Sequence, residues 1–193
     1  MSTPTSTPRI LLASASPRRA ELLRAAGFEF DIQPANVDES VRPGETSDTY
    51  VRRLADAKAA AVFPGAGGRV VLAADTIVVV ENAMLGKPID PADAARMLGL
   101  LSGRRHQVLT GVAIRAAGRR SLTRVEATTV EFAPLSSEEI SWYVASGDPL
   151  DKAGAYAVQG LASRFVTRID GSYSNVVGLP VALVHAMLKE VVP

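Results

Sequence analysis

Arg69 to Pro88 reads RVVLAADTIVVVENAMLGKP, and the interpretation of this stretch decides the fold. Val70 to Ala74 and Ile77 to Val80 are apolar and largely β-branched, the composition of a strand buried on both faces. Asp75 and Thr76 interrupt that run at its middle. An ionised carboxylate in an apolar strand is costly unless a cation or hydrogen-bond donors surround it. The plainer alternative is an aspartate capping a turn at a strand end. No Gly, Pro or Asn lies between Val70 and Glu81, so there is no turn for Asp75 to cap. A tight reversal is expected at Glu81-Asn82, and it would bring Lys87, in Gly86-Lys87-Pro88, back towards Asp75. A buried acid with a returning cation is a candidate site.

Working outward, a chain of 193 residues suffices for one domain of moderate size with a real core. Apolar residues make up 47% and charged residues 21%, an ordinary globular balance. A net charge of +1 argues against a non-specific binder of long nucleic acid, whose domains are strongly basic. Without cysteine, disulfides, thiolate nucleophiles and Cys-ligated zinc are excluded. With only His106 and His185, a His-rich metal site is a poor fit. No apolar run approaches the ~20 residues needed to span a bilayer, so no membrane partner is expected. The first eight residues, MSTPTSTP, read as a disordered Ser/Thr/Pro tail without the apolar segment of a secretory signal. The expectation is a cytoplasmic protein with a single domain over residues 9–193.

Upstream of the central strand, Arg9 to Ala13 reads as a short strand. Ser16 and Pro17 suit the N-cap and first position of a helix that ends at Gly27. Arg18 and Arg19 fall in its first turn, where positive charge is disfavoured by a few tenths to ~1 kcal/mol per charge. Free backbone N–H groups, the hydroxyls of Ser14 and Ser16 and two guanidiniums make this entry a phosphate site, against the plainer reading of a solvated arginine pair. Neither arginine has evident structural work, so removing either is expected to leave thermal stability unchanged or slightly raised. Phe28 to Ile32 alternates as a second strand, and Gln33 to Glu45 is a loop carrying Asp38, Glu39 and Glu45. A helix follows from about Ser47 to Phe63, with a core stripe of Tyr50, Val51, Leu54, Ala61 and Val62 and with Lys58 on the same side. That lysine either snorkels to the surface or faces an anion at the edge of the core.

Downstream, Asp90-Pro91 opens a helix to about Leu101, and His106 to Ala116 and Leu122 to Phe132 form two strands around a turn at Gly118. His106, at a strand start, reads as structural. Ser136 to Glu139 is a capping box, opening a helix with Ile140, Tyr143 and Val144 on one side. Asp148 to Gly160, DPLDKAGAYAVQG, mixes small residues, charges and one amide and fits neither period. Loops of that kind beside a sheet often carry specificity. Arg164 to Ile169 is a strand, and a last helix spans Pro180 to Glu190. The elements alternate without strict βαβ order, which predicts an α/β fold with a central mixed sheet flanked by helices.

LASASPRRAELL, RLADAKA, AADTIVVV, LGKP, LSGRRHQVLTGVAI, DKAGAYAVQG and NVVGLP occur in this order along the chain. With these motifs the sequence resembles the Maf family of nucleoside triphosphate pyrophosphatases, over almost all of Arg9 to Leu188. The resemblance implies an elongated mixed sheet, a divalent metal (Mg2+ or Mn2+), a homodimer, and hydrolysis of a nucleotide between its α- and β-phosphates. It places the catalytic carboxylate at Asp75 and a metal-binding acid at Glu39 as well as Asp75. It places the Ser-x-Ser-x-Arg-Arg motif on Ser14, Ser16, Arg18 and Arg19 and assigns phosphate binding to Ser14, Arg18, Arg19, Lys58 and Lys87. DKAGAYAVQG, with Gln159, looks like the branch that takes dTTP and UTP rather than the one linked to 7-methyl-GTP. Arg18, Thr76 and Gln159 are implied in nucleotide choice. The Gln159 amide can accept from N3–H and donate to O4 of uracil or thymine, a pairing cytosine cannot match in the same orientation.

The residue chemistry agrees with this implied reaction. Attack at the α-phosphorus needs charge neutralisation, a positioned water and a proton acceptor. Arg18, Arg19, Lys58 and Lys87 are the cations, and Asp75 with Glu39 match the one or two carboxylates through which Mg2+ binds. A haloacid-dehalogenase-type phosphatase is rejected, because its nucleophilic aspartate needs a second aspartate two residues on, where Ile77 stands. A non-catalytic nucleotide-binding regulator of cell division would use the same cations and is the alternative.

Overall fold

The apolar run forms one uninterrupted strand, β3 (Val70–Val80), with Asp75 inside it. In the computed structural model, residues 9–191 are described; the tail expected over residues 1–8 lies outside them. Ahead of β3 come β1 (Ile10–Leu12), α1 (Pro17–Ala25), β2 (Phe30–Ile32) and α2 (Ser47–Val62). After it come β4 (Ala83–Leu85), α3 (Pro91–Leu101), β5 (Arg105–Arg115), β6 (Leu122–Phe132) and α4 (Ser137–Ala145). The described chain closes with β7 (Val166–Asp170), α5 (Tyr173–Val177) and α6 (Val181–Val191). The strands build a seven-stranded sheet in the order β2-β1-β3-β5-β6-β7, with β4 paired to β3 off that path. β1 runs parallel to β2 and β3, whereas β4 on β3 and β7 on β6 are antiparallel, so the sheet is mixed as expected.

The chain divides into two compact units. The first contains the segment up to Asp75, Gly111–Val125 and the segment from Val181 on. Its core joins Ala55, Ala59 and Val62 of α2 to Leu11 and Ala13 and to Val71 and Ala73 of β3. Small residues dominate because helix and sheet approach closely: a Cβ added at Gly111 would stand 2.2 Å from the Val51 carbonyl oxygen. The buried face of α2 carries Val51, Leu54, Ala55, Lys58, Ala59 and Val62, and Ala61, placed in the stripe from sequence, is exposed at its margin. At α1, Ser16 occupies the N-cap position but makes no side-chain cap; Ser14 Oγ accepts from the Ser16 amide instead, at 3.2 Å.

The second unit contains Thr76–Thr110 and Glu126–Pro180. Glu81 and Asn82 adopt φ of 47° and 70°, the two left-handed positions of a tight hairpin turn. The chain thus reverses where expected, pairing Val80 with Ala83 and Val78 with Leu85. Asp90 caps α3 by accepting from the Asp93 amide at 2.7 Å, and the capping box at Ser136 and Glu139 forms. α4 buries Tyr143 fully but Ile140 and Val144 only in part. β7 begins at Val166, later than its composition suggests, because Leu161–Phe165 is wound into a 3-10 segment.

Candidate active site

Asp75 sits midway along β3 and is only 7% exposed. Lys58 reaches it from the buried face of α2, itself 8% exposed, with Nζ 2.6 Å from Asp75 Oδ1. The same Nζ lies 2.6 Å from Glu39 Oε1. Lys58 therefore faces anions at the edge of the core rather than snorkelling to solvent. Burial pushes the Asp75 pKa up; the charge and hydrogen bond of Lys58 and the charge of Arg19 oppose the shift without cancelling it.

Glu39 arrives from the loop between β2 and α2, and residues of α2 hold that loop. Tyr50 Oη donates to the Glu39 carbonyl at 3.0 Å, and Arg53 Nη2 to the Ser40 carbonyl at 2.9 Å. Arg53 also grips Glu45 through two hydrogen bonds, 2.6 and 2.8 Å, drawing the Glu45 carboxyl down to about 2. Asp38 accepts from the Ser40 amide at 2.9 Å and so stabilises its own turn. Tyr50 and Arg53 are contributors that the sequence did not single out. Tyr50 read as one more apolar stripe position, and no local pattern ties Arg53 to an acid eight residues before it.

Arg19 projects from the first turn of α1, and its Nη1 donates to the Ala74 carbonyl of β3 at 2.8 Å and to Ser14 Oγ at 3.2 Å. Its burial favours the neutral form, opposed by Asp75 and reinforced by the neighbouring Arg18 charge. The first unit thereby brings Ser14, Arg19, Lys58, Glu39 and Asp75 together, with the half-buried Arg18 next to Arg19.

Thr76, Lys87 and Gln159 belong to the second unit. Thr76 Oγ1 lies 2.9 Å from Thr110 Oγ1 and 3.3 Å from the Gly178 carbonyl. Lys87 is exposed just beyond β4, and Gln159 is exposed immediately after the buried run Gly154 to Val158. His106 is a core residue, 2% exposed, with Nε2 2.8 Å from Tyr156 Oη.

Two carboxylates that converge on one ammonium can also share a cation. Among the described residues, no group of three or more His, Cys, Asp or Glu side chains is arranged to hold a metal. Asp75 and Glu39, both on Lys58, are two carboxylate donors, the number through which a hard divalent ion such as Mg2+ binds when phosphate and water complete its shell.

Comparison with known proteins narrows the chemistry. The family model for Maf-like proteins matches residues 9–191. A dTTP/UTP pyrophosphatase of Anaeromyxobacter sp. (strain Fw109-5) is 55% identical over 185 residues, covering 94% of this chain and 88% of that protein. A protein of the same name from Geobacter sulfurreducens is 52% identical over 184 residues, covering 95% and 96%. Among solved structures, a HAM1 protein from Coxiella burnetii shares 17% identity over 95% of this chain and 99% of its own, with a TM-score of 0.51, a likeness of fold alone. With the family model spanning every described residue, and relatives identical at more than half of the aligned positions, this chain belongs to the Maf family.

Proposed function

We propose that this Maf-family chain hydrolyses dTTP and UTP to the nucleoside monophosphate and pyrophosphate, with Mg2+ or Mn2+ held by Asp75 and Glu39. The observation that carries this reading is Asp75, a carboxylate in a buried strand whose pKa is raised by burial and whose position is fixed by Lys58. A carboxylate so tuned is a stronger base near neutrality than an exposed one. Asp75 takes the proton of the water that attacks the α-phosphorus. A P–O bond forms there as the bond to the bridging oxygen breaks, and the electron pair leaves with pyrophosphate. Ile77 offers no second acid to serve an aspartyl-phosphate route, so the reaction proceeds without a covalent intermediate. Ser14, Arg18, Arg19, Lys58 and Lys87 bind the phosphates and offset their charge. When bound, the divalent cation neutralises phosphate charge at the reacting centre.

Gln159 reads the pyrimidine through N3–H and O4, with Thr76 and Arg18 shaping the choice; leaving a recognition group unpaired is the strong route to discrimination. The names of relatives more than 50% identical support the dTTP/UTP assignment. We place the protein in the cytoplasm and, as the family resemblance implies, as a homodimer. No helix among the described residues is long and apolar enough to cross a membrane. The same relatives are named as pyrophosphatases, which favours turnover over the non-catalytic regulator.

Three measurements test the proposal. Hydrolysis of UTP in ¹⁸O-water should put the label in UMP; label in pyrophosphate would mean attack at the β-phosphorus and overturn the mechanism. Asp75→Asn should keep nucleotide binding while turnover falls by roughly 10²–10⁴-fold, the range for losing a general base. Phosphate released only after a coupling pyrophosphatase is added separates this activity from a binder, which releases none, and from a phosphatase, which needs no coupling.

A further inference from the structure

In the second unit, Tyr143 stands on α4 with its ring packed edge-on against Phe165, 5.6 Å between centroids. Its hydroxyl does more than fill space. Tyr143 Oη donates to Asp148 Oδ2 at 2.9 Å and accepts from the Ala157 amide at 3.3 Å. The other Asp148 oxygen, Oδ1, lies 3.2 Å from Lys152 Nζ, whose ammonium also donates to the Asp148 carbonyl at 2.5 Å and to Asp151 Oδ1 at 2.6 Å. Burial and the Asp148 carboxylate together push the Tyr143 pKa far up, so the hydroxyl stays protonated and keeps donating to Asp148.

This chain of contacts ends two residues before Gln159. From Ala157, the Gly160 amide reaches back to the Ala157 carbonyl at 3.1 Å, closing a turn with Gln159 in it. Asp148 Oδ2 would be 3.1 Å from a Cβ at Gly160, so the carboxylate bound by Tyr143 also borders the far side of that turn. On the near side, Tyr156 Oη is tied to His106 Nε2 at 2.8 Å. Earlier in the loop, Ala155 holds φ of +60°, a left-handed conformation that a non-glycine residue keeps only where its surroundings over-determine it. An exposed amide is thus presented from a buried and internally bonded frame.

We infer that Tyr143 and Asp148 are positioning residues for base recognition: the hydroxyl, steadied by the Asp148–Lys152 pair, fixes the Ala157 amide and so aims the Gln159 side chain. The inference rests on the reading of Gln159 as the group that pairs with uracil or thymine. Tyr143→Phe keeps the ring and its packing and removes only the hydroxyl. Asp148→Ala removes the same support from the other end and carries the test should Tyr143→Phe not fold.

The readout is the ratio of kcat/KM for UTP over CTP in wild type, Tyr143→Phe, Asp148→Ala, Gln159→Ala and the Tyr143→Phe/Gln159→Ala double variant. Each positioning variant should lower the ratio about tenfold, the scale of one lost buried hydrogen bond. The loss should fall on UTP, mainly as a raised KM. In the Gln159→Ala background, Tyr143→Phe should leave the ratio unchanged, because residues acting through one group are not additive. Asp148→Asn, which retains an acceptor for the hydroxyl, should recover most of the loss seen in Asp148→Ala. Equal losses for UTP and CTP in both positioning variants, with Gln159→Ala still collapsing the ratio, would overturn the positioning role alone. An unchanged ratio in Gln159→Ala would overturn the base-reading assignment and this inference with it.

Discussion

Arg18 and Arg19 are adjacent in sequence and read alike as phosphate ligands without structural work, but the Arg19 guanidinium also bonds to the Ala74 carbonyl and Ser14 Oγ. Removing it strips a donor from groups near the middle of β3, so the expectation of unchanged stability does not hold for Arg19. Arg19→Ala should lower stability by about 1–3 kcal/mol, the cost of leaving partly buried acceptors unpaired, in addition to slowing turnover. Calorimetric melting of the variant without nucleotide checks this. A melting temperature equal to wild type would mean these bonds contribute nothing to the fold and that Arg19 serves the substrate alone.

Among the elements, β5 and α2 meet where Gly111 faces the Val51 backbone. A Cβ there would lie 2.2 Å from the Val51 oxygen and 2.5 Å from its carbonyl carbon, and backbone atoms cannot step aside as a side-chain tip can. Gly111→Ala should therefore cost more than about 3 kcal/mol, at the upper end of overpacking effects. Urea denaturation measures it, and a loss below about 1 kcal/mol would show that helix and strand slide apart freely. Elements of this kind were legible in sequence where the signal is local. The unbroken run Val70–Val80, the reversal at Glu81-Asn82, and the caps at Asp90 and Ser136 each carry their own pattern over a few residues. Asp75 and Lys58 could be singled out because a charge on an apolar face is conspicuous in any strand or helix. Arg53 on Glu45, Tyr50 on the Glu39 carbonyl and Tyr143 on Asp148 left no such trace, since each depends on a loop path that tertiary packing chooses. For the same reason Arg164 and Phe165, read as the start of a strand, end the 3-10 segment Leu161–Phe165 instead, and Ala61 falls at the margin of the face assigned to it.

For the whole molecule, acid sensitivity should be set first by His106. It is packed edge-on against Phe132 and Tyr156, and burial lowers its pKa from 6.5 to about 4. The unfolded chain binds the extra proton between those values, so stability is complete above about 6.5 and is lost as pH falls towards about 4. The displacement corresponds to roughly 3 kcal/mol. Glu45, drawn to about 2 by Arg53, acts only lower, as pH drops below its ordinary 4.5. In His106→Phe the dependence between about 4 and 6.5 should flatten; an unaltered slope would assign it to other groups. The shared lysine has a consequence of another kind. An ammonium already neutralised by two carboxylates behaves as an internal counter-ion, competing with any divalent cation that arrives alone and less available to any phosphate that arrives alone. On the function proposed above, binding of both would exchange these partners: Asp75 and Glu39 would hold the metal, and the Lys58 ammonium would meet the phosphate. Each ligand would then tighten the other by the same factor, as reciprocal linkage requires. Lys58→Met, which keeps an unbranched side chain one atom shorter and removes its charge, should bind Mn2+ without nucleotide about tenfold more tightly than wild type by calorimetric titration, a coupling near 1.4 kcal/mol, even as its affinity for nucleotide falls. An unchanged or weaker Mn2+ affinity would show that the lysine is not a competitor, and that cation and nucleotide enter independently.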